Sequence, residues 1–150
     1  RAWHNFEQSV LETKNLNRIH FMGGEVLLNK RFRKFLKFLL ENRPTVSLSF
    51  VTNGTLIDQD LINTLRCFRS CDIEISLESI VKNNHYIRQG HDTGLILENI
   101  KLAISQQTDQ FKVVLRSVPQ LLSINTYVDY IRFAWQNQVS IQGIPLTQPD

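Results

Sequence analysis

The sequence predicts an α/β fold on a parallel β-sheet, and favours a barrel or part of one over an open doubly wound sheet. Helical and extended patterns alternate along the chain, so that five predicted strands are each separated by a helix. Connections of this kind join parallel strands. Several of these strands alternate apolar and polar residues, whereas strands buried on both faces are apolar throughout. We therefore expect one polar face that holds water or a ligand.

The elements follow one another in a regular order. Apolar residues at helical spacing predict helices over residues 1–13, 29–41, 58–68, 95–106 and 126–136, with Asp58 and Asn125 as N-caps, and a short helix before residues 88–94. β-Branched and apolar residues predict strands over residues 17–22, 45–51, 72–78, 111–118 and 139–146. Asn53 and Gly54, which both tolerate positive φ, predict a turn after the second strand.

Length and composition indicate part of one soluble domain. The chain has 150 residues, of which 42% are hydrophobic and 21% charged. No apolar run approaches the roughly 20 residues of a membrane helix, and no signal peptide is visible. Because the chain begins at Arg1, without Met and within a helical pattern, we expect residues 1–150 to be an internal piece of a longer protein.

The net charge of +3 is spread along the chain, and its densest basic cluster lies in residues 29–41. Basic residues alternate there with apolar ones at helical spacing, which is typical of a solvated helix face. No second basic patch supports a nucleic-acid footprint, so nucleic acid is a disfavoured partner.

Two cysteines, Cys67 and Cys71, suggest a reducing compartment and hence the cytoplasm. Structural zinc needs four ligands, and iron–sulfur clusters are normally held by several cysteine thiolates. We interpret the pair as free thiols and assign no metal ligand within this chain.

Polar residues end four successive predicted strands. In α/β folds ligands bind at the carboxyl ends of strands, so these residues should meet at one edge. They are Gly23, Gly24 and Glu25; Thr52, Asn53 and Gly54; Ser76 and Glu78; and Arg116 and Ser117. Glu25 could accept hydrogen bonds from a ligand ammonium, or could stand at the start of a helix that follows a tight turn.

The predicted polar face carries both signs of charge. Glu74 and Glu78 would face Lys112 and Arg116 across it. This arrangement suits a zwitterionic small molecule, and the alternative is a set of internal salt bridges.

The ordered stretches "GGEVLL", "VTNGTLI", "ISLES", "IRQGHDTGLILENIKLAI" and "VVLRSV…N" resemble the core of radical S-adenosylmethionine (SAM) enzymes. The resemblance covers nearly the whole chain. It implies a TIM-like partial barrel of the (β/α)6 type that lacks its first strand here. It also implies that SAM is the cofactor.

The resemblance also implies roles for individual residues. The methionyl ammonium would be bound by Gly23, Gly24 and Glu25, and the ribose or carboxylate by Ser76 and Glu78. The carboxylate would be held by Arg116, with Arg88 as the alternative, and the adenine framed by residues 142–144, including Gln142 and Ile144. Thr52, Asn53 and Gly54 would line the same mouth.

Two features depart from the family pattern. Val26 stands where Pro is common, and the C-x-x-x-C-x-x-C loop that binds a 4Fe–4S cluster is absent. Cys67 and Cys71 stand in the wrong place for that loop, so the cluster ligands are expected upstream of Arg1.

The resemblance implies reductive cleavage of SAM to a 5′-deoxyadenosyl radical that abstracts hydrogen from an unknown peptide or metabolite, with electrons from an external donor. The chain alone is expected to be inactive. Two alternatives stay open: a cluster-less radical-SAM-like binding or scaffold module, and an unrelated α/β metabolite- or nucleic-acid-binding domain.

Overall fold

Five parallel strands alternate with helices in the computed structural model, which describes residues 2–81, 87, 90 and 92–143. The strands in these ranges are β1 (Arg18–Phe21), β2 (Ser47–Thr52), β3 (Ser70–Ser76), β4 (Phe111–Ser117) and β5 (Ser140–Gly143). The helices there are α1 (Ala2–Glu12), α2 (Lys30–Asn42), α3 (Gln59–Leu65), α4 (Thr93–Ser105) and α5 (Tyr127–Gln136), with 3-10 turns at Val26–Leu28 and Ile124–Thr126.

The strands lie in the order β1-β2-β3-β4-β5, and each neighbouring pair is parallel. Sequential parallel strands joined by right-handed helical crossovers place their helices on the same face of the sheet. The predicted parallel α/β fold is therefore confirmed, and the other face is left as the inside of a partial barrel.

The helix-covered face contains the hydrophobic core. Leu48, Phe50, Ile73 and Leu115 on this face are all at most 1% exposed. Phe32 of α2 packs edge-to-face on Phe50 at 5.4 Å between ring centroids. Burial of each such side chain contributes on the order of 1.5–3 kcal/mol, so this face carries most of the packing energy.

Helix starts follow local capping chemistry. The Asn29 side chain accepts from the Arg31 amide, and that of Asp58 from the Leu61 amide, as predicted for Asp58. The prediction for Asn125 is wrong, because a 3-10 turn over Ile124–Thr126 precedes α5 and puts Thr126 at the cap position, where its side chain accepts no capping hydrogen bond.

Several element bounds differ from the predictions, and for two of them the physical reason is clear. The third strand occupies Ser70–Ser76 rather than residues 72–78, because its pairing begins at Ser70 opposite Ser47. Helix α4 begins at Thr93, two residues early, because Asp92 caps it by accepting from the Gly94 and Leu95 amides. Residues 144–146 of the predicted last strand lie outside the described residues.

None of the helices in the described ranges has the length and apolar content that a membrane span needs.

Candidate functional site

A cleft of about 280 Å³ opens at the carboxyl ends of β2, β3 and β4, beside the loop that follows β1. It is lined by Met22, Gly23, Gly24, Val51, Ser76, Glu78, Arg116, Ser117 and Val118. Its volume is close to the lower end of the roughly 300–1,000 Å³ that ligand sites usually have. The structure therefore places six of the predicted polar strand-end residues around one concave space: Gly23, Gly24, Ser76, Glu78, Arg116 and Ser117.

The glycine pair forms a turn that residues with side chains rarely adopt. Gly23 has φ +90° and Gly24 has φ +52°. A Cβ at either position would meet no described atom within 4 Å, so the conformation and not crowding requires glycine here. The bare backbone therefore borders open space in the cleft.

Glu25 is held by the neighbouring strand. Its Oε1 accepts from the Leu27 amide at 3.0 Å, and its Oε2 from the Asn53 amide at 2.6 Å. The Thr52 hydroxyl donates to the same carboxylate, at 2.9 Å from Oε1 and 3.0 Å from Oε2. Glu25 thus fixes the glycine turn to the end of β2.

The turn after β2 is itself braced. The Asn53 Oδ1 accepts from the backbone and hydroxyl of Thr55, and the Gly54 amide donates to Thr52 Oγ1 at 3.2 Å. Asn99 of α4 donates from Nδ2 to the carbonyls of Gly54 and Thr55, at 2.9 and 3.1 Å. Glu25, Thr52 and Asn53 are not among the described residues that line the cleft, and their polar groups bind one another instead.

The polar wall of the cleft comes from β3 and β4. Ser76 lies opposite Arg116 in the sheet register, and both point to the polar face. The Arg116 guanidinium binds Glu74 of β3 with 2.6 Å between NH1 and Oε2. The Glu78 carboxylate, on a residue 6% exposed, accepts from the Val118 amide at 2.8 Å.

The remaining predicted site residues lie apart from the cleft or outside the described residues. Gln142 is paired in register with Arg116 on β5 but is exposed, and it is not among the described lining residues. Arg88 and Ile144 lie outside the described residues.

The charges expected on the polar face are arranged partly as an internal salt bridge. Glu74 and Arg116 form that pair, with side chains only 13% and 19% exposed. Lys112 lies 3.8 Å from Asp109, at the other end of β4. The cleft is therefore lined by an arginine that is paired with Glu74 and by the buried carboxylate of Glu78, which accepts from the Val118 amide.

Sequence reasoning missed three apolar cleft residues: Met22, Val51 and Val118. Val51 could have been found, because it has the same strand parity as Ser47 and Ser49 and so points to the polar face. Met22 and Val118 follow their strands directly, where the side-chain direction is set by the loop.

The two cysteines lie away from this cleft. Cys67 is exposed after α3, and Cys71 is fully buried near the amino end of β3. Burial in the core raises the pKa of the Cys71 thiol, with a smaller contribution from nearby Asp72, so it stays protonated and ligates poorly. No group of three or more His, Cys, Asp or Glu residues in the described part of the chain could hold a metal ion. These residues therefore do not fit a 4Fe–4S cluster.

Two larger hollows, of about 930 and 610 Å³, lie at the opposite edge of the sheet. Asp72 near the start of β3 lines both, and Arg18 and Arg69 line the smaller. Parallel α/β sheets bind ligands at their carboxyl edge, where the glycine turn and Arg116 also lie. The cleft of about 280 Å³ at that edge is therefore the candidate site.

A family model described as the radical SAM superfamily matches residues 6–133. The chain belongs to the radical SAM superfamily. Among solved structures, Streptococcus suis SuiB matches with a TM-score of 0.71 at 14% identity, over 88% of this chain and 30% of that one. The same protein bound to S-adenosylmethionine matches with identical values. No curated protein matches this chain by sequence.

These matches bear on the fold. At 14% identity the structural likeness shows the radical SAM partial-barrel architecture and no residue role. The chain spans about 30% of the length of the SuiB chain, so the activity of a whole protein does not follow from it.

Proposed function

We propose that this chain is the SAM-binding part of a radical SAM enzyme and that SAM occupies the cleft at the carboxyl ends of β2, β3 and β4. The observation that carries the proposal is the meeting of the glycine turn, Ser76, Glu78 and Arg116 around one space. SAM has a carboxylate, an ammonium and a sulfonium, so a site with one guanidinium and a carboxylate beside bare backbone matches its charges.

Each group then has a partner of suitable chemistry. Arg116 binds the carboxylate, and the backbone of Gly23 and Gly24, with Glu25 beside them, binds the ammonium. Ser76 and Glu78 bind the ribose, and the adenine lies toward Gln142 and Ile144. Arg88 is the alternative partner of the carboxylate.

SAM activated by a 4Fe–4S cluster supplies radical hydrogen abstraction. This chain's part is to bind and orient the cofactor, while Met22, Val51 and Val118 reduce the access of water to it. We assign the cluster ligands to residues other than Cys67 and Cys71, in a longer cytoplasmic protein. Its substrate is a peptide or a metabolite, and its electrons come from an external donor.

Calorimetry tests the binding assignment. We expect SAM to bind and ATP or an oligonucleotide not to bind, because the described cleft offers one arginine for anionic groups. Arg116→Met should weaken SAM binding about tenfold, the usual effect of losing a charge-assisted hydrogen bond. Arg132→Gln is the control, because Arg132 is exposed on α5 and paired with Asp129. Tighter binding of ATP than of SAM would contradict the proposal.

The absence of a cluster-holding group in the described ranges favours a second candidate, a cluster-less binding or scaffold module. Sequence encoded upstream of Arg1 separates the two, because a C-x-x-x-C-x-x-C motif there supports the enzyme and a start codon near Arg1 supports the module. Anaerobic iron–sulfide reconstitution of the present chain should yield no 5′-deoxyadenosine. Steady turnover would show that the cluster ligands lie within the chain.

A further inference from the structure

Arg116 is held from one side by a residue that does not line the cleft. We propose that Glu74 is the positioning residue for Arg116, fixing its guanidinium so that the other N–H groups face the cofactor carboxylate. This inference rests on the proposed function of the cleft.

The sheet register explains why the two side chains meet. Arg116 on β4 lies opposite Ser76, and Glu74 stands two residues before Ser76 on the same face of β3. The guanidinium therefore reaches diagonally toward the amino end of β3, where NH1 lies 2.6 Å from Glu74 Oε2. Ser76 and Arg116 both line the cleft, whereas Glu74 is not among its described lining residues.

The contact leaves most of the arginine available. A guanidinium has five N–H donors in a rigid plane, and this contact uses NH1. A long, partly buried side chain loses considerable rotamer freedom when it binds a ligand, so an arginine already fixed in place binds with less entropic cost. With 19% and 13% of their side chains exposed, the pair is shielded enough for the contact to restrict the guanidinium.

Glu74 also has an electrostatic effect of the opposite sign. A carboxylate beside Arg116 partly cancels the positive charge that would attract an anion. If Glu74 only neutralised charge, its removal would strengthen carboxylate binding. If it positions the guanidinium, its removal weakens carboxylate binding. The two roles therefore predict changes in opposite directions.

The experiment compares SAM with decarboxylated SAM, which lacks only the carboxylate. Calorimetry on the 150-residue chain gives the ratio of the two dissociation constants, which measures carboxylate recognition and is insensitive to a general loss of folded protein. We expect a ratio of about ten or more in the unsubstituted protein and about one in Arg116→Met. Glu74→Ala should lower the ratio about threefold, and Glu74→Gln should lower it less, because its amide oxygen can still accept from NH1.

Two controls keep the result interpretable. Glu98→Ala removes an equal charge from the exposed face of α4 and should leave the ratio unchanged. If Glu74→Ala does not fold, Glu74→Leu decides the matter, because leucine fills a similar volume and cannot accept a hydrogen bond from NH1. An unchanged or raised ratio in a folded variant that cannot accept from NH1, Glu74→Ala or Glu74→Leu, would overturn the positioning role while the proposed function stands. Failure of the unsubstituted protein to bind SAM, or an unchanged ratio in Arg116→Met, would overturn the assignment of the cleft and this inference with it.

Discussion

The helix-covered face of the sheet is filled with packed apolar side chains, whereas the opposite face carries polar residues joined by hydrogen bonds and ion pairs. Phe50 and Val51 show the contrast in adjacent positions: Phe50 is fully buried under α2, and Val51 borders the cleft. On the polar face the His20 ring lies 2.6 Å from the Ser49 hydroxyl, which also accepts from Arg18. The packed core and the polar cleft are thus formed by alternate residues of the same strands, and substitutions can separate their contributions to stability.

The largest expected effect comes from Phe50→Ala. Removal of this ring leaves a cavity against Phe32 and should cost about 3–5 kcal/mol of unfolding free energy. Val51→Ala removes a partly exposed side chain and should cost about 1 kcal/mol or less. Urea denaturation followed by circular dichroism measures both, and equal losses would show that the two faces contribute alike.

Gly54→Ala tests the turn that joins the two faces. Gly54 has φ +81°, and an added Cβ would lie 3.0 Å from Ile75 Cγ2. Strain and crowding together should cost about 3 kcal/mol. Gly23→Ala, at φ +90° with open space around it, should cost only the conformational part, about 1–2 kcal/mol. A larger loss at Gly23 in the same denaturation experiment would contradict the crowding at Gly54.

Thr52→Val removes a polar group that lies on the apolar face. Thr52 is 2% exposed and donates to Glu25, so the valine should cost about 2 kcal/mol. A double-mutant cycle with Glu25→Gln checks the contact, because the two losses should be clearly less than additive if the residues act together. Additive losses would mean that Glu25 is held mainly by backbone amides.

The smallest effect is expected for the ion pair on the outer surface. Arg33 binds Asp58 at 2.6 Å, and this hydrogen bond lowers the pKa of the Asp58 carboxyl. A lowered folded-state pKa stabilises the protein above the usual carboxyl pKa of about 4, and that contribution is lost as the pH falls through the folded-state pKa. Because the pair is well exposed, Arg33→Gln should cost less than about 1 kcal/mol at pH 7.

Denaturation at several pH values measures this dependence. The difference between Arg33→Gln and the unsubstituted protein should shrink toward acid pH and in high salt. Lys34→Gln, at a neighbouring exposed position, should show neither trend. A difference that persists in strong acid would point instead to packing of the arginine stem or to its hydrogen bond with the Leu56 carbonyl.

Sequence reasoning found the fold and much of the cleft because both depend on regular geometry. Alternation in β3 and β4 places Ser76 and Arg116 on one face, and parallel pairing brings the strand ends together. The sequence could not decide whether Arg116 pairs with Glu74 or Glu78, because both have the same parity and each is two residues from Ser76, the register partner of Arg116. The two differ in the structure because β3 ends at Ser76 and the Glu78 carboxylate accepts from the Val118 amide. The bonds from Thr52 and Asn53 to Glu25 depend on backbone angles of the glycine turn, which composition does not fix. The prediction that Asn125 caps α5 was wrong because the 3-10 turn over Ile124–Thr126 precedes that helix.

The brace between Asn99 and the turn after β2 has a mechanical consequence. Asn99 holds the Gly54 and Thr55 carbonyls, the adjoining Thr52 and Asn53 hold Glu25, and Glu25 ends the glycine turn at the cleft. A displacement of helix α4 would therefore be transmitted through three sets of hydrogen bonds to the glycine backbone that borders the cleft. A small displacement of an outer helix can therefore change the shape of the cleft proposed to bind SAM.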